Sequence, residues 1–324
     1  MLKATAATIA AAQWPDGGIP DTPGGTLDPW NHVEAAMGLD VTGLADEAEA
    51  AYRWLAAHQN DDGSWYAGYR DNAVTDSARD ANFTAYIAVG LAHHSLLHGD
   101  ALAIELWPVL ERALGFVLTL QRPGGEITWR AGEAEALRTG CSSIHHALRL
   151  ASELARRLGR PGWDVAADRL RDALIRRPEV FTPKPHSMDW YYPVLGSVVT
   201  SDAAIAALAA RWDEFVVPGL GVRCVHHEPW VTGGETCELA LTLATRGRFA
   251  DAATLLENVE RLRHTDGSYW TGYQFRDDEF WPPDERTTWT SGAYLLARAA
   301  LSGERATTTV FGERVTRPLR ACPG

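Results

Sequence analysis

Lysine is nearly missing from this chain of 324 residues, where Lys3 and Lys184 are the only two. With 42 acidic against 30 basic side chains and a formal net charge of −12, the surface repels phosphate backbones, so no nucleic-acid partner is expected. Nor is there a lysine-rich patch to hold an anionic membrane. Long hydrophobic runs are absent too: no apolar stretch of about 18 residues occurs, and no transmembrane segment is expected. The opening "MLKATAATIAAAQWPDGG" is too short and too weakly apolar before Pro15 to read as a secretory signal. Cysteine is scarce, and Cys141, Cys224, Cys237 and Cys322 form no CxxC pair, which fits free thiols in a reducing cytoplasm. P-loop, GxGxxG and nucleophile-elbow motifs are also missing.

What the chain does have is helical periodicity, with no alternating strand pattern. Ala- and Leu-rich stretches at 2–13, 43–59, 101–121, 162–176, 201–215 and 247–263 are each followed by a turn rich in Gly, Pro, Asp or Trp. A second helix follows each turn, starting near residues 31, 80, 139, 187, 235 and 286. One hairpin cannot bury its apolar face alone, so neighbours must stack. Six hairpins without a polar capping repeat predict an all-α, single-domain (α/α)6 toroid over residues 1–302, first helices outside and second helices lining the centre. The tail, 303–324, loses the periodicity and is expected to pack loosely or be disordered.

The turn "HQNDDGSWYAGY" returns as "HTDGSYWTGY" about 205 residues later. Glycine permits a tight joint between the two helices of a hairpin, and Asp or Gln satisfies free amides at helix ends. This joint resembles the QW repeat of squalene–hopene cyclases and of the related α domain of prenyltransferases, in which Gln is followed by Gly-x-Trp. Gln59…Gly63-Ser64-Trp65 carries the likeness most fully and Gln121…Gly125…Trp129 more loosely, while His264 replaces the glutamine before Gly267…Trp270.

The resemblance implies the toroid and a terpene cyclase-like enzyme that processes an isoprenoid through carbocations. Such cyclases open one inner helix with DxDD, whose middle aspartate donates a proton. The equivalent segment here, "DANFTA", keeps Asp80 but sets Asn82 at the donor's place and Phe83 last. An amide cannot supply that proton, so another acid is required. Prenyltransferase β subunits hold zinc with Asp-x-Cys and a histidine from the next inner helix. Glu235-Thr236-Cys237 matches the first half, but "ERTTWTSGAY" has no histidine, so neither zinc nor another cofactor is expected.

In a toroid the inner helices start at one end, where their first residues converge on a small-molecule substrate. The candidates there are Asp28, Trp30, Asn31, His32 and Glu34; Asp80 and Asn82; Glu126, Trp129 and His145. Asp189, Trp190, Tyr191 and Tyr192 follow, then Glu235, Cys237 and Glu238, then Trp270, Glu285, Arg286 and Trp289. Asp189 lies between Met188 and three consecutive aromatics, and a carboxyl desolvated among rings keeps its proton, which makes it the expected general acid. Glu235 and Glu238, three apart on one helix face, form a second acidic pair, with Asp80 a fourth catalytic candidate. Helix capping accounts equally well for Asp80, Thr139 and Glu235.

A second reading is a carbohydrate-active enzyme, because unrelated (α/α)6 barrels host glycosidases, lyases and epimerases. Sugars stack on Trp and Tyr beside paired carboxylates, and Glu126, Asp189, Glu235 and Asp284 would then be acid and base. A third reading is a non-catalytic binding module, with Asn82 the relic of a lost site.

Overall fold

The computed structural model describes residues 2–313. Outer helices Leu2–Ala12, Ala45–His58, Trp107–Thr119, Asp164–Arg176, Ser201–Ala210 and Phe249–Val259 alternate with six inner ones. Inner helix 1 is Pro29–Asp40, and inner helix 2 runs through Ala81–Ala85 and Ile87–His98 with a turn at Tyr86. Inner helices 3 to 6 are Arg138–Arg157, Met188–Leu195, Gly233–Thr245 and Thr288–Leu301. Each inner helix packs on the next, and inner helix 6 returns to inner helix 1. The ring is closed, as the hairpin count predicts.

Inner helices touch neighbours on every side, so their sequences lack a polar face: inner helix 5 is buried from Gly233 through Ala244. Closure between inner helices 1 and 6 is backbone on backbone. A Cβ on Gly38 would lie 2.8 Å from the Cα of Gly292, and one on Gly292 would lie 2.8 Å from the Glu34 carbonyl oxygen. Any larger residue at either place would push the two helices apart.

The repeated turn is the joint that holds successive hairpins together. The Gln59 side-chain amide donates to the Gly63 carbonyl and, across to the next outer helix, to the Val109 carbonyl, both at 2.9 Å. Gln13 does the same toward Gly17 and Glu47 at 2.9 Å, and Gln121 toward Gly125 and Ala166 at 3.0 Å. Gly63 adopts φ +91°, and a Cβ there would meet the Arg112 carbonyl oxygen at 2.2 Å. In the last repeat Gly267 meets the first outer helix instead: the Thr5 hydroxyl donates to its carbonyl at 2.8 Å, which fastens the end of the ring to its beginning. Within the turns, Asp62 and Asp266 each accept from the amide and hydroxyl of the serine two residues on, and each pairs with an arginine, Arg79 or Arg286. Trp65 is buried, with its indole N–H on the Leu55 carbonyl at 2.8 Å.

Short strands, which the periodicity does not reveal, cluster in the loops that enter the inner helices. Gly68–Arg70 pairs with Ala73–Asp76, and Val216–Val217, Gly221–Arg223, Trp230–Thr232, Gly272–Gln274 and Glu279–Phe280 form an antiparallel meander beside inner helices 5 and 6. Strands of two to four residues are too brief to show alternation. Beyond the last inner helix, Arg305–Val310 forms a further helix capped by Glu304, and Val310 and Phe311 are buried. The remainder of the tail, 314–324, lies outside the described residues. Among the described residues no helix is long and apolar enough to cross a membrane.

Gly63→Ala should cost about 3 kcal/mol in denaturant unfolding, from the positive φ and the close carbonyl together. Gly115→Ala, on an outer helix with no atom within 4 Å of the new Cβ, should instead be neutral or stabilising by up to about 1 kcal/mol. Equal losses at both positions would refute the role given to the joint.

Candidate active site

Because outer and inner helices alternate in direction, all inner helices begin at one end of the ring. Two begin with aspartate caps. The Oδ1 of Asp28 accepts from the Trp30 and Asn31 amides at 2.9 Å. That of Asp80 accepts from Asn82 and Phe83 at 2.8 and 3.1 Å. Capping is only part of their role, since both carboxyls are enclosed by protein. Burial pushes Asp80 up to about 6 despite the two amides and Arg130, whose Nε is 3.7 Å away. Asp28 is held well above the usual carboxylate range by burial first, then by the neighbouring charges of Asp21 and Asp80.

Asp21, from the loop before inner helix 1, accepts from the Asn31 side chain at 3.1 Å. Burial raises it to about 6, with Glu285 adding to the shift. Glu285, entering inner helix 6, accepts from the Thr271 hydroxyl at 2.9 Å. Glu285, Asp21, Asp28 and Asp80 thus form a run of mutually repelling carboxyls. Asp21, Asp28 and Glu285 keep part of their surface open to solvent at this end of the ring.

The floor crosses the ring axis. Glu34 of inner helix 1 is raised by burial and by Glu238 and Glu235 of inner helix 5. Burial, with Glu235 beside it, brings Glu238 up to about 8 even though the Tyr191 hydroxyl donates to it. Tyr86 and Tyr192 stand beside the same carboxyls. Trp30 packs edge-on against Tyr86 and Tyr192 at centroid distances of 5.8 and 5.6 Å. Trp289 lies over Gly234, where a Cβ would meet its ring at 2.0 Å. Both Asn82 amide atoms and the Glu235 Oε2 are buried without a hydrogen-bond partner. Such groups have the chemistry to bind a ligand that both donates and accepts.

The structure brings together Asp80, Asn82, Glu235, Glu238, Trp30, Tyr192 and Trp289 of the sequence candidates, with Tyr191 supporting Glu238. Others are employed elsewhere. Asp189 is half-buried and accepts from the Thr139 amide and hydroxyl at 3.2 and 2.6 Å and from the Lys184 amide at 3.0 Å, which ties inner helix 4 to its neighbours. The Trp190 indole donates outward to the Ala207 carbonyl at 3.1 Å. His32 bridges the Ile19 amide and Ala51 carbonyl, and His145 reaches the Gly196 carbonyl; burial lowers them to about 4 and about 3. Glu126 pairs with Arg177, and Arg286 with Asp266, both in joints, and Trp270 stacks on Phe280. Trp129 carries the Arg130 guanidinium 4.1 Å above its ring. Cys237 is buried, and among the described residues neither it nor Glu235 joins a cluster of three metal-ligating groups. Asp21, Tyr86 and Arg130 escape sequence reading. Asp21 carries one usable signal, an acidic residue in the loop that feeds an inner helix.

The floor and wall carry buried carboxyls, tyrosine hydroxyls and an unpartnered amide, which is not the apolar cavity expected for carbocations. No family model matches the chain. Over 308 residues it is 48% identical to the MMP endo-(1,4)-3-O-methyl-alpha-D-mannosidase of Mycolicibacterium hassiacum, covering 93% of this chain and 86% of that protein. The chain belongs to the family of that enzyme. Among solved structures, a glycosidase variant in complex with glucose superposes with a TM-score of 0.77 at 17% identity, over 93% of this chain and 96% of that one. A D-mannose isomerase does so at 0.69 and 11%, with the same coverage; these two share the fold. The isoprenoid and terpene-cyclase expectation, and with it membership of the QW-repeat family, is therefore overturned: a mannosidase relative spans nearly the whole chain. The chain is an enzyme of glycosidase type.

Glu238 sets a pH dependence of stability. Its folded value, about 8, exceeds its ordinary 4.5, so the folded state holds the extra proton; the stabilisation is complete below about pH 4.5 and is lost as pH rises through 8. Glu238→Gln should flatten the fall in unfolding free energy between pH 4.5 and 8. An unchanged slope would show that Glu238 is not the titrating group.

Proposed function

We propose that the chain is a glycoside hydrolase that cleaves α-mannosidic bonds in a mannose-containing oligosaccharide, including 3-O-methylated units. The observation that carries this reading is the run of carboxyls at the mouth of a polar bowl, in a chain 48% identical to a 3-O-methyl-mannosidase. Glycosidic bonds are cleaved by two carboxyl groups, one giving a proton to the leaving oxygen and the other activating water or attacking the sugar. Asp28 is the proton donor: it is the enclosed, proton-retaining carboxyl that still faces the bowl. Glu285, from the opposite edge of the Asp21 pair, is the base. Asn82 and Glu235 take sugar hydroxyls. The half-buried faces of Trp30 and Trp289 suit the apolar side of a pyranose ring, and a methyl ether in place of a hydroxyl suits them further.

The leading alternative for the donor is Asp80, which burial also holds up at about 6. A cytoplasmic setting fits Cys141, Cys224 and Cys237, which are free thiols, the first and last of them buried.

Purified protein assayed on 3-O-methylmannose oligosaccharides should release shorter fragments. Asp28→Asn and Glu285→Gln should each lower kcat by about 10³-fold with the melting temperature kept. An active Asp28→Asn protein would transfer the donor role to Asp80; activity of both variants would end this assignment of the site. Activity should also decline as pH rises through about 6, where Asp21 beside the donor loses its proton, and Asp21→Asn should move that limb. A limb that stays in place would remove Asp21 from the pair.

A further inference from the structure

We propose that Asp40, His94 and His98 form a binding site for a zinc-type divalent metal at the end of the ring opposite the bowl. Asp40 closes inner helix 1, and His94 and His98 lie on the last turns of inner helix 2, four residues apart and so on one face. The His94 Nδ1 is 2.9 Å from the Asp40 Oδ1, the His98 Nε2 is 3.3 Å from the same oxygen, and the three ligand atoms lie within 4.8 Å of one another. Tetrahedral zinc with nitrogen and oxygen ligands at about 2.0–2.1 Å holds them about 3.3 Å apart, so small side-chain rotations suffice.

Two further features match a metal centre. The Glu49 Oε1, from the second outer helix, is 3.8 Å from the His94 Nε2. The pair is beyond hydrogen-bond distance, but Glu49 is on the side of the imidazole ring from which a carboxylate can close in to orient a ligating histidine. The Asp40 Oδ2 takes the Tyr52 hydroxyl at 3.4 Å, which leaves Oδ1 to the histidines. The Asp40 and His94 side chains are buried, at 0% and 2% exposure, while His98 is 30% exposed and leaves a solvent route and an open fourth position. Two histidines and one carboxylate are a donor set for first-row divalent metals. The site joins the first two inner helices to an outer one, far from the carboxyl run, so its contribution is to stability and not to turnover.

The test uses metal-stripped full-length protein titrated with Zn²⁺ by calorimetry and with Co²⁺ by visible absorption. One equivalent should bind, Zn²⁺ should raise the melting temperature, and glycosidase activity should be unaffected by metal or chelator. His98→Ala, at a partly exposed position, should weaken binding at least tenfold, and His94→Gln should do the same. A double alanine variant at His226 and His227, an adjacent pair on the other rim, should bind as the parent does. No saturable binding, or binding that survives His98→Ala and disappears with the His226/His227 variant, overturns the proposal. Because the readouts are affinity, spectrum and melting temperature, failure here leaves the glycosidase assignment untouched, and the reverse also holds.

Discussion

Everything in this molecule depends on the glutamine-and-glycine joint that binds one hairpin to the next. The inner helix of each hairpin has no face it can leave in water, so its stability comes from its neighbours. The joint fixes the angle between those neighbours with hydrogen bonds that need an amide side chain and with an approach of backbone to backbone that needs glycine. It recurs at Gln13, Gln59 and Gln121, and in the last turn the Gly267 carbonyl receives the Thr5 hydroxyl, which returns the last hairpin to the first. Where the glutamine is replaced by His264, Arg286 takes over part of the work by bridging His264, Asp266 and Ser268.

Closure has an electrostatic result. Bringing every inner helix to start at one end sets helix-capping aspartates side by side in a space too small for all of them to ionise. Asp28 and Asp80 are ordinary caps taken singly; buried next to each other and to Asp21, all three are held above the usual carboxylate range. Burial is the larger cause of these shifts, and the ring adds to it by bringing carboxyls of different repeats together.

Much of the architecture was legible in the sequence. Helix length and the recurring turn gave the hairpins, their order and the closed ring, because 3.6-residue periodicity is strong in Ala- and Leu-rich segments. The site was less legible. Asp189 stands among aromatics in the chain but not in space: Trp190 turns outward to Ala207, while Asp189 reaches back to Thr139. Adjacent residues on a helix point in different directions, so sequence neighbours misstate burial. Asp28 and Asp80 could be placed at helix starts, but their coupling needs distances between different repeats. The isoprenoid expectation failed for a related reason: the joint motif encodes how hairpins stack, and that is independent of what the bowl holds.

The contact of Gly38 with Gly292 bears on how the chain reaches its final form. The two partners are separated by most of the sequence, so the first hairpin cannot complete its core until the last one has been synthesised. During translation the growing chain is an open arc with an uncovered helix at each end, and its exposed apolar flank grows no smaller as repeats are added. Only the sixth hairpin removes both ends at once. Shortening the chain by one repeat would therefore leave an adhesive crescent rather than a smaller enzyme.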